Sequence, residues 1–274
     1  MSDILKVNRP AHFDLDKIFD CGQSFRFEKG GDGVWEGVAF GRVLRASQDD
    51  AYIYLNCTKD EYEKIWENYL GLDADYDEID RDIASRFDND VIVAAMEAGD
   101  GIRILRQQPW ETLCSFIISQ NNNIPRIKSL VAAICREYGE AFEYGGKTYY
   151  AFPTPEALLG AGEEGLKALK TGFRAAYLIS AAEHCRDGLD LQKIRDAYTY
   201  EQGMQELCKI KGVGPKVASC TLLFSLGKTD AFPVDVWIRK TIDKYFGGAL
   251  DVSALGPYAG IAQQYLFYYE RSLQ

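Results

Sequence analysis

The stretch KIKGVGPKVASC, residues 209–220, decides how the second half of this chain folds. Gly212 and Gly214 predict a tight turn between two helices, because glycine adopts positive φ and lets backbones approach closely. Pro215 suits the first turn of the second helix, so Lys216 falls at a helix N-terminus. The partial positive charge of a helix N-terminus disfavours a cation there. Lys216 therefore either reaches a phosphate or lies where its amine is more readily deprotonated.

The same turn could hold an anion, although the protein is acidic. The net charge is −10 and the pI is about 4.9, which taken alone argues against nucleic acid, since affinity for DNA comes largely from Lys and Arg. However, the free N–H groups of a turn, added to those of a helix N-terminus, bind phosphate without basic side chains. Turn composition alone favours a plain αα-hairpin. A hairpin in which Gly212 and Gly214 contact DNA is the alternative, and the motifs that follow the turn support it.

Composition bounds the class of protein. The 274 residues are 47% hydrophobic and 26% charged, which is typical of a soluble globular protein of one large or two smaller domains. The sequence has no apolar run of roughly 20 residues and its first ten residues do not resemble a signal peptide. We therefore expect a cytoplasmic protein with no membrane association.

Cysteine and histidine usage argues against metal chemistry. The seven cysteines are odd in number and contain no CxxC pair, so we expect reduced core residues rather than disulfides or a zinc site. His12 and His184 are the only histidines. We expect no metal site and no Ser-His-Asp catalysis.

The hydrophobic pattern predicts an α+β fold. Short β-branched and aromatic runs separated by Gly and Asp predict an antiparallel sheet at the N-terminus, and a helical period takes over near residue 100. We expect an N-terminal α+β domain, residues 1–99, packed on a larger all-helical domain, residues 100–274. The predicted N-terminal elements are strands near 25–27, 34–40, 43–46 and 52–55 and a helix over 59–70.

A second candidate catalytic residue follows the hairpin. The segment FPVDVWI places Asp235 at the start of the next helix, 19 residues after Lys216. An ordinary N-cap that accepts backbone N–H groups is one reading. The same geometry would keep the carboxylate ionised and directed between the two helix starts. Lysine and aspartate converging on a phosphate-binding hairpin form a nucleophile-plus-carboxylate site.

These motifs resemble those of known DNA repair enzymes. LxKIKGVGPKVA followed by FPVDVWI resembles the helix-hairpin-helix and Gly/Pro…Asp motif of the endonuclease III superfamily of DNA glycosylases. CGQSFR (21–26), SQNNNIPR (119–126) and GPYAGIAQ (256–263) narrow the resemblance to the 8-oxoguanine DNA glycosylase/AP lyase family. The C-terminus has no Cys-rich segment, so the iron–sulfur branches of the superfamily do not fit.

The resemblance implies a covalent mechanism without a cofactor. The damaged nucleotide would be flipped out of the duplex, and Lys216 would attack C1′ of its sugar and hold it as a Schiff base. The helix N-terminus and burial both favour the neutral amine that attack requires. Asp235 would stabilise the sugar cation and orient or deprotonate the amine. The hairpin carbonyls could also bind a structural monovalent cation.

The resemblance also assigns a lesion pocket. The backbone carbonyl of Gly22 would accept a hydrogen bond from N7–H, which 8-oxoguanine has and guanine lacks. Cys220 and Phe267 would sandwich the base, and Gln263 would read its Watson–Crick edge. Cys220 and Lys216 are spaced i, i+4, as are Phe267 and Gln263, so each pair shares a helix face. Simple core packing is the alternative for Cys220 and Phe267.

A third group would contact the orphaned cytosine. By resemblance Asn121 would fill the vacated space, Phe173 would wedge into the gap, and Arg126 and Arg174 would hydrogen-bond the cytosine. A helix-terminating polar loop is the alternative for the Asn run. Two departures stand out: the family often has tyrosine at Phe173, and many members have histidine where Trp237 stands, which puts that phosphate contact in doubt.

The predicted function is therefore that of a bifunctional DNA glycosylase/AP lyase. It would excise 8-oxoguanine, and we expect formamidopyrimidine-guanine as well, from double-stranded DNA. We expect a monomer, nucleoid-associated in a bacterium or nuclear in a eukaryote. The alternatives are a glycosylase for another damaged purine and a non-catalytic helix-hairpin-helix DNA-binding module.

Overall fold

A computed structural model describes residues 4–87 and 89–273. Its N-terminal half contains a five-stranded antiparallel sheet with the strand order β1-β5-β4-β3-β2, and a separate two-stranded hairpin follows later in the chain. The strands are β1 Leu5–Asn8, β2 Phe27–Lys29, β3 Trp35–Ala39, β4 Arg42–Gln48, β5 Tyr52–Leu55, β6 Ala141–Tyr144 and β7 Lys147–Tyr150.

Alternation of side chains explains why the sheet forms. In β5 the sequence YIYL buries Ile53 and Leu55, whereas Tyr52 and Tyr54 face outward, as expected for a sheet with one packed face. The ammonium of Lys6 lies 3.4 Å from the centre of the Tyr52 ring on that outer face. The predicted antiparallel sheet is confirmed. The edge strand β1 and the β6–β7 hairpin were not predicted.

Helices make up most of the remaining chain. They are α1 Leu15–Asp20, α2 Lys59–Glu61, α3 Glu67–Tyr69, α4 Tyr76–Arg86, α5 Asp90–Gly99, α6 Pro109–Ile118, α7 Ile124–Tyr138, α8 Pro155–Ala168, α9 Arg174–Arg186, α10 Leu191–Ala197, α11 Tyr200–Leu207, α12 Pro215–Ser225, α13 Val236–Phe246 and α14 Ala259–Ser272. A 3₁₀ segment, Val252–Tyr258, precedes α14.

The predicted helix over 59–70 is present but is not regular. Thr58 caps α2 through a reciprocal capping box with Glu61, and the five residues Tyr62–Trp66 then form a π-helical turn before α3. The turn buries Trp66, whose ring packs edge-on against Tyr69. Sequence periodicity alone assumes 3.6 residues per turn and cannot show this widening.

Two hydrophobic cores organise the molecule. The smaller core lies between the sheet and helices α1 to α3 and includes Phe19, Leu44 and Trp66. The larger core joins α4 to α14. Helices α4 and α5 belong to the larger core, and Gly99 of α5 lets the Tyr265 ring of α14 approach closely. The boundary at residues 99 and 100 stays a prediction. Within the described residues, no helix is long and apolar enough to span a membrane.

The loop before α1 is connected to α4 and α5 by an imidazole surrounded by carboxylates. The ring nitrogens of His12 lie 3.0 Å from Asp77, 2.5 Å from Asp100 and 3.8 Å from Asp80. Burial lowers the pKa of His12, but the hydrogen bonds to Asp100 and Asp77 and the charges of Asp100 and Asp80 outweigh it, so the pKa is raised above 6.5. His12 itself adopts positive φ, which Asn tolerates well.

We expect His12→Asn to destabilise the fold more at pH 5.5 than at pH 8.5. A raised pKa in the folded state means that the imidazolium stabilises the fold fully below about pH 6.5, and that this contribution is lost as the pH rises through the folded-state pKa. Urea unfolding of both proteins at the two pH values measures the difference. An equal loss of unfolding free energy at the two pH values would show that attraction between the His12 charge and the carboxylates does not stabilise the fold.

Candidate active site at the hairpin between two helices

The predicted hairpin is present between α11 and α12. The Val213 N–H donates to the Ile210 carbonyl at 3.0 Å and closes the turn. Gly212 has a φ of 84°, and a Cβ there would lie 2.1 Å from the Tyr177 ring, so no side chain fits. Gly214 is the N-cap of α12. The turn has the geometry that the sequence predicted.

Three carbonyls of the hairpin are available to a ligand. The carbonyl oxygens of Lys209, Lys211 and Val213 accept no hydrogen bond from any residue in the described ranges. Oxygen donors at alternating positions of a turn are the ligand type that hard cations prefer. The hairpin thus has oxygen ligands for the monovalent cation that the sequence analysis left open.

Lys216 lies in the first turn of α12, and its amine is bonded to Ser119, the C-cap residue of α6. Its Nζ donates to the Ser119 Oγ at 2.9 Å and lies 5.0 Å from the centre of the Phe116 ring. A hydroxyl and an aromatic face thus fix the amine, and no carboxylate pairs with it among the described residues. Ser119 begins the SQNNN motif, but sequence reasoning assigned it no role.

Asp235 is the N-cap of α13, as one reading of the sequence predicted. Its Oδ1 accepts the Ile238 N–H at 2.8 Å. This bond fixes the carboxylate at the end of the segment that enters the helix. Both Asp235 and Lys216 line the same cavity, so the cap and the directed carboxylate are compatible.

This cavity brings the predicted catalytic and lesion-binding side chains together. Its volume is about 500 Å³, within the range of small-molecule sites. Helices α6, α7, α12, α13 and α14 and the loops after α1 and α6 contribute residues to its walls. The predicted site residues among them are Gly22, Lys216, Cys220, Asp235, Gln263 and Phe267.

One wall of the cavity is apolar and uncharged. Cys220 is only 3% exposed. Burial raises the pKa of its thiol to about 11, although the Lys216 ammonium acts in the opposite direction. The thiol is therefore protonated at neutral pH. Phe267 packs over Gly22, where an added Cβ would lie 3.4 Å from its ring.

Another wall carries unpaired polar atoms. Gln263 is 4% exposed, yet its Oε1 has no hydrogen-bond partner. In the part of the chain that the structure describes, only Arg271 Nη1 is another buried side-chain polar atom without a partner, and Arg271 lines the same cavity. Buried polar atoms are almost always paired. The cavity is thus suited to a ligand with its own donors and acceptors.

The residues predicted to meet the orphaned cytosine lie outside this cavity, around the loop after α6. Asn121 has a φ of 47°, and it and Arg126 are exposed. Phe173 is 48% exposed, and its ring stacks 4.5 Å from the Arg174 guanidinium. Arg174 thus contacts Phe173 and the backbone of Asn121 and lies near Arg126.

Arg174 differs from the expectation of a free base-reading side chain. It is 5% exposed and donates to the carbonyls of Gln120, Asn121 and Thr171. Burial and the nearby Arg126 lower its pKa. Here the guanidinium holds the loop that carries Asn121.

The alternative reading of the Asn run also holds in part. Asn123 caps α7 by accepting the Arg126 N–H at 3.0 Å. Asn122 donates to the Ile118 carbonyl at 3.2 Å and so ends α6.

Trp237, the departure from the family pattern, lines the cavity beside Asp235. The Lys240 ammonium lies 5.1 Å from its ring centre.

Comparison with known proteins agrees with this geometry. Residues 5–113 match the family described as 8-oxoguanine DNA glycosylase, N-terminal domain, and residues 114–250 match the HhH-GPD superfamily of base excision DNA repair proteins. An N-glycosylase/DNA lyase of Saccharomyces cerevisiae is 32% identical over 86% of this chain and 69% of its own length.

Solved structures give the same result. The 8-oxoguanine glycosylase/lyase of Clostridium acetobutylicum is 38% identical, with a TM-score of 0.92 over 98% of this chain and 97% of that one. Its complex with double-stranded DNA containing cytosine opposite 8-oxoguanine gives a TM-score of 0.90 and 35% identity over 100% of this chain and 99% of that one.

These matches define the protein as a base-excision DNA repair enzyme of the helix-hairpin-helix superfamily. Within that superfamily, the chain belongs to the 8-oxoguanine DNA glycosylase family. The predicted family, α+β fold class and glycosylase/lyase class of enzyme are confirmed. The roles of individual residues, the lysine chemistry and the ring-opened substrate stay predictions.

Cys220 should resist alkylation in the folded protein. At pH 8 a thiol with a pKa of about 11 is ionised in only about one molecule in a thousand, and burial also blocks the reagent. Cys208 is exposed and provides the internal control. Brief iodoacetamide treatment followed by peptide mass spectrometry should modify Cys208 long before Cys220, and both equally after unfolding. Comparable rates in the native protein would mean that the cavity wall is open.

Proposed function

We propose that this chain excises 8-oxoguanine from duplex DNA and then nicks the strand through a Schiff base on Lys216. The observation that carries the proposal is one cavity with two kinds of lining residue. Lys216 and Asp235 supply a nucleophile and a carboxylate, and Gly22 and Gln263 supply groups that can read a base. Chemistry and recognition can thus act on one extruded nucleotide. The base is released and the strand is cut without a cofactor.

In the first step the Lys216 amine forms a bond to C1′ as the bond from C1′ to the base breaks. The electron pair of that bond leaves with the base, which takes up a proton. The nearby Asp235 carboxylate stabilises the positive charge that develops on the sugar. The hydrogen bond to Ser119 fixes the amine before the substrate binds, so the nucleophile is already oriented for attack.

In the second step the C1′–O4′ bond breaks and O4′ takes up a proton, so the sugar ring opens and the nitrogen lone pair forms the C1′=N Schiff base. This Schiff base makes the C2′ proton acidic. Loss of this proton forms a double bond between C2′ and C3′ and expels the 3′ phosphate, which cuts the strand. The imine is then hydrolysed by water and Lys216 is regenerated. Atoms and charge balance with water as the only other reactant.

The lesion is distinguished from guanine by one hydrogen bond. The Gly22 carbonyl accepts none from the described residues, so it is free to accept N7–H of 8-oxoguanine. Guanine would place a lone pair there, at a cost of about 1–3 kcal/mol. The ring-opened formamidopyrimidine also has an N–H at that position, which supports it as a second substrate. The unpaired Oε1 of Gln263 is suited to the N1–H and amino donors of the base.

Duplex DNA binds across the hairpin and the loop after α6. The backbone N–H groups at Gly212 and Gly214 hold a phosphate. The free carbonyls of Lys209, Lys211 and Val213 would hold a monovalent cation if one binds, and it would add positive charge near that phosphate. Phe173 enters the duplex, and Asn121 and Arg126 meet the orphaned cytosine. Arg174 joins them by exchanging part of its carbonyl contacts. The enzyme acts as a monomer on nuclear or nucleoid DNA.

Lys216→Gln should abolish base release and strand nicking while DNA binding survives. Glutamine can still donate to Ser119 but cannot form an imine. The measurement is borohydride trapping with a duplex that contains one 8-oxoguanine opposite cytosine, beside an undamaged duplex. Wild type should give a covalent adduct only with the lesion, and the variant none. An adduct that persists in the variant would assign the Schiff base to another amine.

Asp235→Asn should slow base release by at least about 100-fold and change lesion-duplex affinity far less. Asn also caps helices well, so α13 should remain folded. Asp190→Asn is the matched control, because Asp190 caps α10 through the Lys193 N–H at 3.0 Å and does not line the cavity. Single-turnover rates and binding isotherms are compared. Parallel losses of rate and affinity would refute the electrostatic role.

A further inference from the structure

The carbonyls on either side of Gly22 are each bound by a glutamine side chain. Gln264 Nε2 on α14 donates to the Cys21 carbonyl at 2.6 Å. Gln107 Nε2, just before α6, donates to the Gln23 carbonyl at 2.7 Å. Between them, the Gly22 carbonyl is left without a donor from residues 4–87 and 89–273. Three consecutive carbonyls thus follow a pattern of bound, free and bound.

The rest of this loop is also fixed by side-chain amides. The Gln23 side chain is 1% exposed. Its Nε2 donates to the carbonyls of Ile18 and Arg103 at 3.0 and 2.8 Å, and its Oε1 accepts the Leu105 N–H at 2.9 Å. The loop has no regular secondary structure between α1 and β2, so these bonds replace a helix or sheet as its support.

Hydrogen bonds from neighbouring side chains matter most at Gly22, because the conformation of this residue is the least restricted in the loop. Its φ of 80° lies in the left-handed region, and glycine there is free to adopt many other conformations. The direction of its carbonyl therefore depends on the two neighbouring peptides. Gln264 is 3% exposed, and a buried amide is costly unless it is hydrogen-bonded.

We propose that Gln264 and Gln107 are positioning residues for the lesion-reading carbonyl of Gly22. The inference rests on the proposed function, in which that carbonyl distinguishes 8-oxoguanine from guanine. Each glutamine acts on the neighbouring peptide and not on the base. Removing either amide frees one side of Gly22, so its carbonyl no longer holds the orientation that accepts N7–H. Base recognition is lost, whereas the Lys216 site is unchanged.

The test compares two reactions that share Lys216 but differ in their need for base recognition. Gln264→Met and Gln107→Met remove the donors at similar volume. Each should slow 8-oxoguanine release in single-turnover assays by roughly 10- to 100-fold. Nicking of a duplex with a preformed abasic site needs no base reader, so its rate should stay within about twofold of wild type. Gln108→Met is the matched control, since the adjacent Gln108 bonds the Phe40 N–H instead.

Different outcomes would overturn the positioning role of the two glutamines and the proposed function on which it rests. Unchanged release by both variants, or equal losses of release and nicking, would overturn the positioning role. A loss confined to Gln264→Met would also overturn it, because Gln264 lines the cavity and Gln107 does not, so the effect would mark a direct base contact. If Gln264→Met does not fold by thermal melting, Gln107→Met decides alone; if Gln107→Met does not fold, Gln107→Leu takes its place in the comparison. Wild type that releases no 8-oxoguanine but nicks abasic sites would instead refute the proposed function.

Discussion

An amine at the first turn of α12 is the constraint on which the rest of the site depends. The helix N-terminus disfavours its charge, and no carboxylate pairs with it among the described residues. The structure offers it a neutral hydroxyl, Ser119, and the face of Phe116. In the proposed mechanism this matters, because an Asp or Glu in direct contact would bind the ammonium more tightly and make Lys216 a poorer nucleophile. Asp235 caps α13, and the Ile238 N–H occupies one of its carboxylate oxygens. This bond holds the carboxylate in the cavity without an ion pair to Lys216.

The hairpin also reconciles an acidic chain with a nucleic-acid substrate. With 41 acidic and 31 basic side chains, long-range attraction to DNA is weak, and the contact must be local. Backbone N–H groups carry no net charge and need no surrounding basic surface. Several basic side chains here are already paired within the protein, as Lys209 is with Glu206. This distribution of charge supports the proposed binding through a small contact lined by backbone groups.

How much the sequence could predict depended on how local each feature is. Lys216 and the Asp235 cap follow from turn chemistry over a few residues, and both have the predicted geometry. Ser119 lies 97 positions from Lys216 along the chain, so no local pattern could pair them. The Arg174 contacts to the loop after α6 span more than 50 positions and depend on how α9 packs there. Sequence resemblance named Arg174 but could not show that its donors are already used.

The cavity combines rigid support with atoms left unpaired. A buried polar atom without a partner costs about 1–3 kcal/mol, a substantial share of a typical total stability of 5–15 kcal/mol. Gln263 Oε1 and Arg271 Nη1, on two residues that line the cavity, bear that cost, whereas the Nε2 groups of Gln107 and Gln264 each donate to a carbonyl beside Gly22. A ligand that hydrogen-bonds an unpaired buried atom removes this cost. The rigid residues around such atoms prevent them from pairing with each other or with the backbone. A ligand with the matching donors and acceptors would recover the stability that the fold forgoes here, and in the proposed function that ligand is the extruded base.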